Sequence, residues 1–335
     1  MPRISVLLPC RNCAATVEAA LLSLTRQSVD MEILAIDDAS QDGSVDRMLS
    51  LGLRNLRILP LDRHEGITRA LQIGLQEASG EFIARMDADD ISHPDRFSCQ
   101  LAAIEAVNAH LCFCYYRDKN ENTGRVVEWK NPDGELLSWR GLFDNVFGPH
   151  SGAIFRKKEI IELGGYATQF ARAQDYDLWD RCLAAGYQFA YAPKILLERT
   201  TGASSITASD SQAQADFAAL VSQRALGRAF PGISKEKLIA LRWLMTGKGE
   251  KPTDLATVLE WSIEAASSFL SVKAQTVRPS LLWHDVTLQI SKRLKKLTPS
   301  EVALARRTMI SAACKSLRPR TMALACIAAT RLQFV

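Results

Sequence analysis

The 335-residue chain predicts an α/β fold, a doubly wound mixed sheet followed by a mainly α-helical C-terminal region. Three observations carry this. Short apolar runs alternate with helical periods four times over residues 1–108, the pattern of βα units and parallel strands. The runs are nearly continuous in apolar residues, which suits strands covered on both faces. Beyond Ala208 the period is helical and rich in Ala and Leu, with breaks at Pro231-Gly232 and Gly247-Lys248-Gly249. The expected organisation is 1–207 as an α/β domain and 208–335 as a helical, basic region.

Ile4–Leu8 reads as a buried strand stopped by Pro9. From Thr16 to Gln27, Val17, Ala20, Leu21 and Leu24 recur at helical spacing. Ile33–Ile36 is a second strand ending in Asp37-Asp38, and Asp42 or Ser44 can cap a helix running to about Leu51. Leu56–Leu59 is a third strand, stopped by Pro60. Ile67–Ala78 is a helix with Gly80 as its C-terminal signal. Phe82–Met86 is a fourth strand, running into Asp87-Ala88-Asp89-Asp90, and Pro94 opens a helix through about Ala106. From 111 to 207 the pattern is mixed. Strands are expected at Val126–Trp129, Ala153–Phe155, Phe189–Tyr191 and Ile195–Leu197, and helices at Lys158–Leu163 and Asp177–Ala185.

Composition excludes several classes. Hydrophobic residues are 47% and charged residues 23%, too apolar for a disordered chain. No run approaches the length of a membrane span, and the N-terminus lacks a signal-peptide core, so a cytoplasmic protein is expected. Neither a G-x-x-x-x-G-K-[ST] nor a G-x-G-x-x-G match occurs. Residues 271–335 hold 12 Lys+Arg against 2 Asp+Glu, whereas the rest hold 29 against 35. A basic terminal segment suits either a solvated helix face or attraction to anionic lipid at the inner membrane surface, with Leu294, Leu297, Val302 and Leu304 on the opposite faces. No nucleic-acid partner is expected. The eight cysteines have no framework spacing. Cys10-Arg11-Asn12-Cys13 is a C-x-x-C pair without a second pair at zinc spacing, so free thiols in a reducing compartment are expected.

The chemistry gathers at strand ends. In doubly wound sheets ligands bind at the carboxyl ends of strands, and Pro9–Asn12, Asp37-Asp38 and Asp87–Asp90 all stand there. Asp87 and Asp89 alternate, so both carboxylates can face one ligand. Two hard oxygen donors suit Mg²⁺ or Mn²⁺ with phosphate and water completing the shell. Such a cation stabilises the charge that gathers on a departing diphosphate. Capping of the following helix is the structural alternative for Asp89 and Asp90. Asp37 and Asp38 serve either turn formation or hydrogen bonding to a base or ribose. Asp175 and Asp177 serve either as helix caps or, for Asp175, as a general base.

Together these stretches resemble the bacterial family 2 glycosyltransferases. The resemblance rests on Val6-Leu7-Leu8-Pro9-Cys10-Arg11-Asn12, Ile36-Asp37-Asp38-Ala39-Ser40-Gln41-Asp42, Gly66-Ile67-Thr68-Arg69-Ala70-Leu71 and Arg85-Met86-Asp87-Ala88-Asp89-Asp90. It continues through Pro149-His150-Ser151-Gly152, Gly164-Gly165-Tyr166 and Asp175-Tyr176-Asp177-Leu178-Trp179, covering about residues 3–207. It implies a GT-A fold and inverting transfer of a hexosyl or N-acetylhexosaminyl group. The implied donor is a nucleotide diphosphate sugar, often a uridine diphosphate sugar. The implied acceptor is a saccharide or glycolipid in surface polysaccharide synthesis. By carry-over, Pro9, Arg11, Asn12, Gly66, Arg69, Asp87 and Ala88 line the donor site, and Asp38 with Asp37 contacts base or ribose. Asp89 with Asp87 holds Mn²⁺ or Mg²⁺, and Asp175 stands at the catalytic-base position. Two departures matter. Gln174 replaces a common Glu, which removes a like charge beside Asp175. Thr201 stands where many relatives place a histidine near the metal. A nucleotidyltransferase, or a degenerate nucleotide-sugar binder without transfer, are the alternative readings.

Overall fold

The computed structural model describes residues 2–130, 134–202, 211–273 and 275–294, together with 303 and 307. The chain divides into two compact units, residues 1–132 with 147–218 and residues 133–146 with 219–335.

The first unit is built on a nine-stranded mixed sheet. Its parallel half is β1 (Ile4–Cys10), β2 (Met31–Asp37), β3 (Leu56–Pro60) and β4 (Phe82–Arg85), ordered β3-β2-β1-β4. The helices between them are α1 (Val17–Leu24), α2 (Ser44–Ser50) and α3 (Ile67–Glu77). The four alternations read from the sequence are present. β1, β2 and β4 are almost wholly buried, as the apolar runs require.

Pro9 does not stop β1. It pairs in register with Ile36, while pairing of β1 with β4 ends at Leu7 and Arg85, so the missing N–H costs no ladder bond on the β4 side. Gly80 does not close α3 either, because Ala78 already leaves the helix in extended conformation. Gly80 instead donates its N–H to Ser5 Oγ (2.8 Å), and a Cβ there would lie 2.6 Å from the Ser5 nitrogen. It is a point of close backbone approach to β1.

The second half of the sheet is antiparallel in part. After the two-residue β5 (Ile91–Ser92) and α4 (Arg96–Val107) come β6 (Leu111–Asn120), β7 (Val126–Trp129), β8 (Ile154–Arg156) and β9 (Phe189–Thr201). β8 is antiparallel to β4 and β6, and β9 runs parallel to β6. The long β6 is not in the sequence reading. The two strands expected at 189–191 and 195–197 are one strand. Cys114 pairs with Ala192 but Tyr115 pairs with Ile195, so Pro193 and Lys194 form a bulge that a proline in mid-strand demands. α6 (Lys157–Glu162) and α7 (Gln174–Ala184) pack beside this half.

The second unit is helical: α5 (Leu137–Arg140), the C-terminal part of α8 (Ser211–Ala229), α9 (Lys235–Thr246), α10 (Leu255–Lys273) and α11 (Pro279–Leu294). Trp139 and Phe143 share a buried cluster with Leu241, Leu259, Ile263, Leu282, Trp283 and Val286. That packing, with an Arg140–Asp285 ion pair at 2.8 Å, explains why 133–146 belongs with the helices. The breaks at Pro231-Gly232 and Gly247–Gly249 fall between helices as expected. Among the described residues no helix is long and apolar enough to cross a membrane. Leu297, Val302, Leu304, Cys314, Cys326 and the boundary at Ala208 lie outside the described residues.

Candidate active site

The parallel register fixes the rim. Cys10 pairs with Asp37 and Asp37 with Pro60, while the Met86 N–H donates to Leu7 carbonyl (3.1 Å). The ends of β1, β2 and β4 therefore stand side by side, and they bring Pro9–Asn12, Asp37-Asp38 and Asp87–Asp90 to one edge.

Arg11 and Asn12 are exposed. Asn12 has a left-handed backbone, φ 51°. Its N–H donates to Ser40 Oγ (2.8 Å), and its Oδ1 accepts from the Gln41 N–H (2.9 Å). The loop after β1 is thus moored to the turn after β2. Asp37, 3% exposed, accepts the Ser40 N–H at 3.2 Å.

Asp38, 4% exposed, gathers the segment before α3. Its carboxylate takes the N–H groups of Glu65 (2.7 Å) and Gly66 (2.9 Å) and meets His64 Nδ1 at 2.7 Å. Gly66, with φ 87°, supplies a turn that an L-residue would strain. An ionised carboxylate has about four acceptor positions, so Asp38 has capacity for one more donor. Arg69 is exposed on the first turn of α3.

Arg85, Asp87, Asp89 and Asp90 form a charged cluster at the end of β4. The Arg85 side chain is 1% exposed and pairs with Asp87, which is 37% exposed. Arg85 also donates to the Met86 carbonyl. The fully buried Arg96 donates to the Arg85 carbonyl (2.8 Å) and to Gln100 (3.1 Å). Burial would raise the Asp87 carboxyl, but Arg85 overcomes it and holds Asp87 below the usual carboxylate range. Asp89 moves up through burial and repulsion from Asp87. Asp90, 2% exposed, is pushed up to about 7 by the same two causes. Ala88 is buried between them. Burial first, and then the neighbouring carboxylates, raise both Asp89 and Asp90. The donors are hard oxygens, as Mg²⁺ and Mn²⁺ require. Among the described residues no three His, Cys, Asp or Glu side chains are grouped to hold a metal.

Asp175 lies in the first turn of α7 and accepts the Tyr176 N–H (2.8 Å). It follows Ala173, which adopts φ 55°. Asp177, fully buried, is held by Arg181 Nε (3.0 Å) and Nη2 (2.8 Å). Arg181 also donates to the carbonyls of Leu163 (2.9 Å) and Gly165 (2.8 Å). The loop leading to Asp175 is tied to α3. The Thr68 hydroxyl donates to Phe170 carbonyl (2.6 Å), and the Tyr166 N–H donates to Gln72 Oε1 (2.7 Å).

Four residues without a role in the sequence reading join these parts. His150 Nε2 meets the Tyr166 hydroxyl at 2.9 Å. Burial, with Arg85 nearby, lowers His150 well below its usual value, so its imidazole is neutral. The Tyr166 phenol feels Arg85 and Asp175, and burial drives it up. Arg199 is 3.7 Å from Asp118, stacks 5.4 Å from the Tyr116 ring and acts on Asp87 and Asp90. Arg85 was findable, since a residue two before Asp87 shares its side of an extended chain. His150 and Tyr166 stand in stretches that carry the family resemblance, but no local spacing points to their pairing. Thr201, at the end of β9, donates to the Lys119 carbonyl (3.4 Å).

Comparison with known proteins agrees with this architecture. Residues 5–164 match the model of "Glycosyl transferase family 2". The amylovoran biosynthesis glycosyltransferase AmsE of Erwinia amylovora is 27% identical over 194 residues, 56% of this chain and 71% of that protein. The S. aureus TarS 1–349 structure in complex with UDP superposes with a TM-score of 0.58 at 15% identity, covering 99% of this chain and 91% of that one. The mannosyltransferase PcManGT of Pyrobaculum calidifontis, solved with GDP-Man and Mn²⁺, gives a TM-score of 0.54 at 18% identity, covering 99% and 87%. With its parallel β1–β4 rim, its acidic cluster after β4 and its match over residues 5–164, the chain carries a family 2 glycosyltransferase domain on a GT-A fold.

Proposed function

We propose that the protein transfers a sugar from a nucleotide diphosphate sugar, a UDP-sugar, to an acceptor hydroxyl with inversion. The observation that carries the proposal is the double anchoring of α3. Its leading loop is held by Asp38, and its first two turns hold the loop that carries Asp175. Donor rim and base are thereby mounted on one helix.

Pro9, Arg11, Asn12, Asp37, Asp38, Gly66, Arg69, Asp87 and Ala88 bound the donor site. The remaining acceptor position of Asp38 suits a ribose hydroxyl or a base N–H. Asp89, with Asp87, would hold Mn²⁺ or Mg²⁺, which supplies Lewis-acid stabilisation of the leaving diphosphate. Arg85 neutralises Asp87 and fixes its direction, leaving Asp89 the more available ligand. Asp175 takes the proton of the acceptor hydroxyl as it attacks from the face opposite the nucleotide. A relative named for its action on α-D-GlcNAc-diphosphoundecaprenol supports a saccharide or glycolipid acceptor, and the basic C-terminal segment supports peripheral attachment to an anionic membrane. The two structural neighbours hold UDP and GDP-mannose, so titration of a nucleotide diphosphate panel with and without Mn²⁺ tests the donor. Tight Mn²⁺-dependent binding of UDP is expected, and absence of binding to every nucleotide by folded protein removes the proposal. Asp175→Asn should cut turnover by about 10³-fold with UDP affinity retained, and undiminished turnover would take Asp175 out of the base role.

A further inference from the structure

The helical unit supplies no residue to the proposed transfer, yet its interior holds charge that apolar packing does not call for. Asp285 stands on α11 and is 1% exposed. Its Oδ1 accepts from Arg140 Nη2 (2.8 Å) and Nε (3.1 Å) and from the Gln289 amide (3.4 Å). Its Oδ2 is buried and accepts no hydrogen bond. A buried carboxylate oxygen is expensive to leave without a donor, and such atoms mark places where a water or a ligand belongs.

Asp285 lines a cavity of about 210 Å³ that lies wholly inside this unit, between the end of α5 with the residues after it, the end of α9 and the middle of α11. At about 30 Å³ per water it has room for about seven waters, or for one pyranose ring. Its charges balance. Arg140 pairs with Asp285, and Asp144 on the same wall pairs with Lys248 Nζ at 2.5 Å. No net charge is left to select an anion or a cation, so the fitting ligand is neutral. Hydrogen-bonding capacity remains in both senses. Arg140 spends Nε and Nη2 on Asp285 and keeps Nη1 as a donor. Gln289, four residues from Asp285 on the same helix face, spends its amide nitrogen and keeps Oε1 as an acceptor. Phe143, Val146 and Met245 give the cavity an apolar side. Spare donors and acceptors beside an apolar wall match a pyranose, whose hydroxyls both give and take hydrogen bonds and whose axial C–H bonds form an apolar face.

We propose that this cavity is a saccharide-binding site for one neutral pyranose ring, with Arg140, Asp285 and Gln289 holding its hydroxyls and Phe143, Val146 and Met245 its C–H face. The site uses none of the residues given to donor, metal or base. It goes beyond the transfer reading and stands whether or not the first unit transfers a sugar.

The test is saturation-transfer NMR on the full chain, with the methyl glycosides of glucose, galactose, mannose and N-acetylglucosamine each titrated through the millimolar range. At least one is expected to bind saturably. Two variants then locate the binding. Val146→Phe fills the cavity and should abolish it. Gln289→Leu keeps the volume, removes a hydrogen-bonding group and should weaken it by about ten-fold. Scanning calorimetry checks that each variant is folded, and if Val146→Phe is not, Gln289→Leu decides alone. Folded wild-type protein that binds none of the four glycosides, or binding that the folded variants leave unchanged, overturns the site. UDP titration of the same samples separates the two readings. Wild-type protein that binds a glycoside in the cavity but not UDP removes the transfer reading and keeps this site, whereas protein that binds UDP but no glycoside removes this site alone.

Discussion

Arg181 gives the most direct test of how the loop leading to Asp175 is held. Its side chain is 21% exposed and its partner Asp177 is 0% exposed. Arg181→Met keeps the aliphatic stem but withdraws both hydrogen bonds to Asp177 and those to the Leu163 and Gly165 carbonyls. Removing one member of a buried ion pair costs about 3–5 kcal/mol, because the remaining charge loses its compensation. For a domain of this size each kcal/mol moves the unfolding midpoint by about 2–4 °C, so a fall of roughly 6–20 °C is expected. Scanning calorimetry reads the transition, and hydrogen exchange over residues 163–184 reports whether the loss is local. Asp177→Asn combined with Arg181→Met should recover at least half of it, since the uncompensated charge is gone. A fall below about 1 kcal/mol in the single variant, the level of an exposed pair, would refute the assignment of Arg181 as the clamp on this loop.

Three other expectations follow from the same contacts. Gly80→Ala places a methyl 2.6 Å from the Ser5 nitrogen and should destabilise by about 1–3 kcal/mol, and denaturant unfolding that matches wild type would remove the close-approach argument. His150 is neutral in the folded state because its value lies below that of the unfolded chain, so the unfolded state binds the proton first. Its contribution is complete above about pH 6.5 and is lost as pH falls, at up to about 1.4 kcal/mol per pH unit. His150→Gln should flatten that slope between pH 7 and 5, and parallel stability curves would contradict it. Asp89→Ala should weaken Mn²⁺ binding to the UDP complex by about ten-fold or more, with folding unchanged, and identical Mn²⁺ titrations by electron paramagnetic resonance would exclude Asp89 as a ligand.

The parallel half of the fold was legible because β1, β2 and β4 are covered on both faces and read as continuous apolar runs, and the short β3 ends at Pro60. β6 was not legible, for a physical reason. It begins as buried Leu111–Cys114 and continues through Arg117, Asp118 and Lys119, half core strand and half the base of a hairpin with β7, so neither a continuous run nor an alternation persists. β9 was split in reading by Pro193, whose disruption the sheet absorbs as a bulge. At the site, local spacing placed the acidic residues on strand ends. What joins them is long-range. Thr68 meets Phe170 across 102 residues and Gln72 meets Tyr166 across 94, and no periodicity encodes such pairs.

That distribution has a mechanical consequence. Glycosyl transfer by direct displacement needs the base, the acceptor oxygen and the anomeric carbon aligned, and small misplacements are costly. Asp175, the proposed base, sits at the start of α7, outside the parallel layer that carries the proposed donor rim. Its position is transmitted through two short bonds to the first two turns of α3 and through the Tyr166–His150 contact toward the Arg85–Asp87 pair. The Asp38 carboxylate fixes the start of that same helix from β2. Because α3 receives both sets of bonds, the proposed donor rim and the proposed base share one mechanical support. The pairs Arg85–Asp87 and Arg181–Asp177, each with one fully buried member, lie at the two ends of this chain of contacts. In the proposed mechanism each fixes a carboxylate that does not take the reacting proton, the roles of metal ligand and base being those proposed for Asp89 and Asp175.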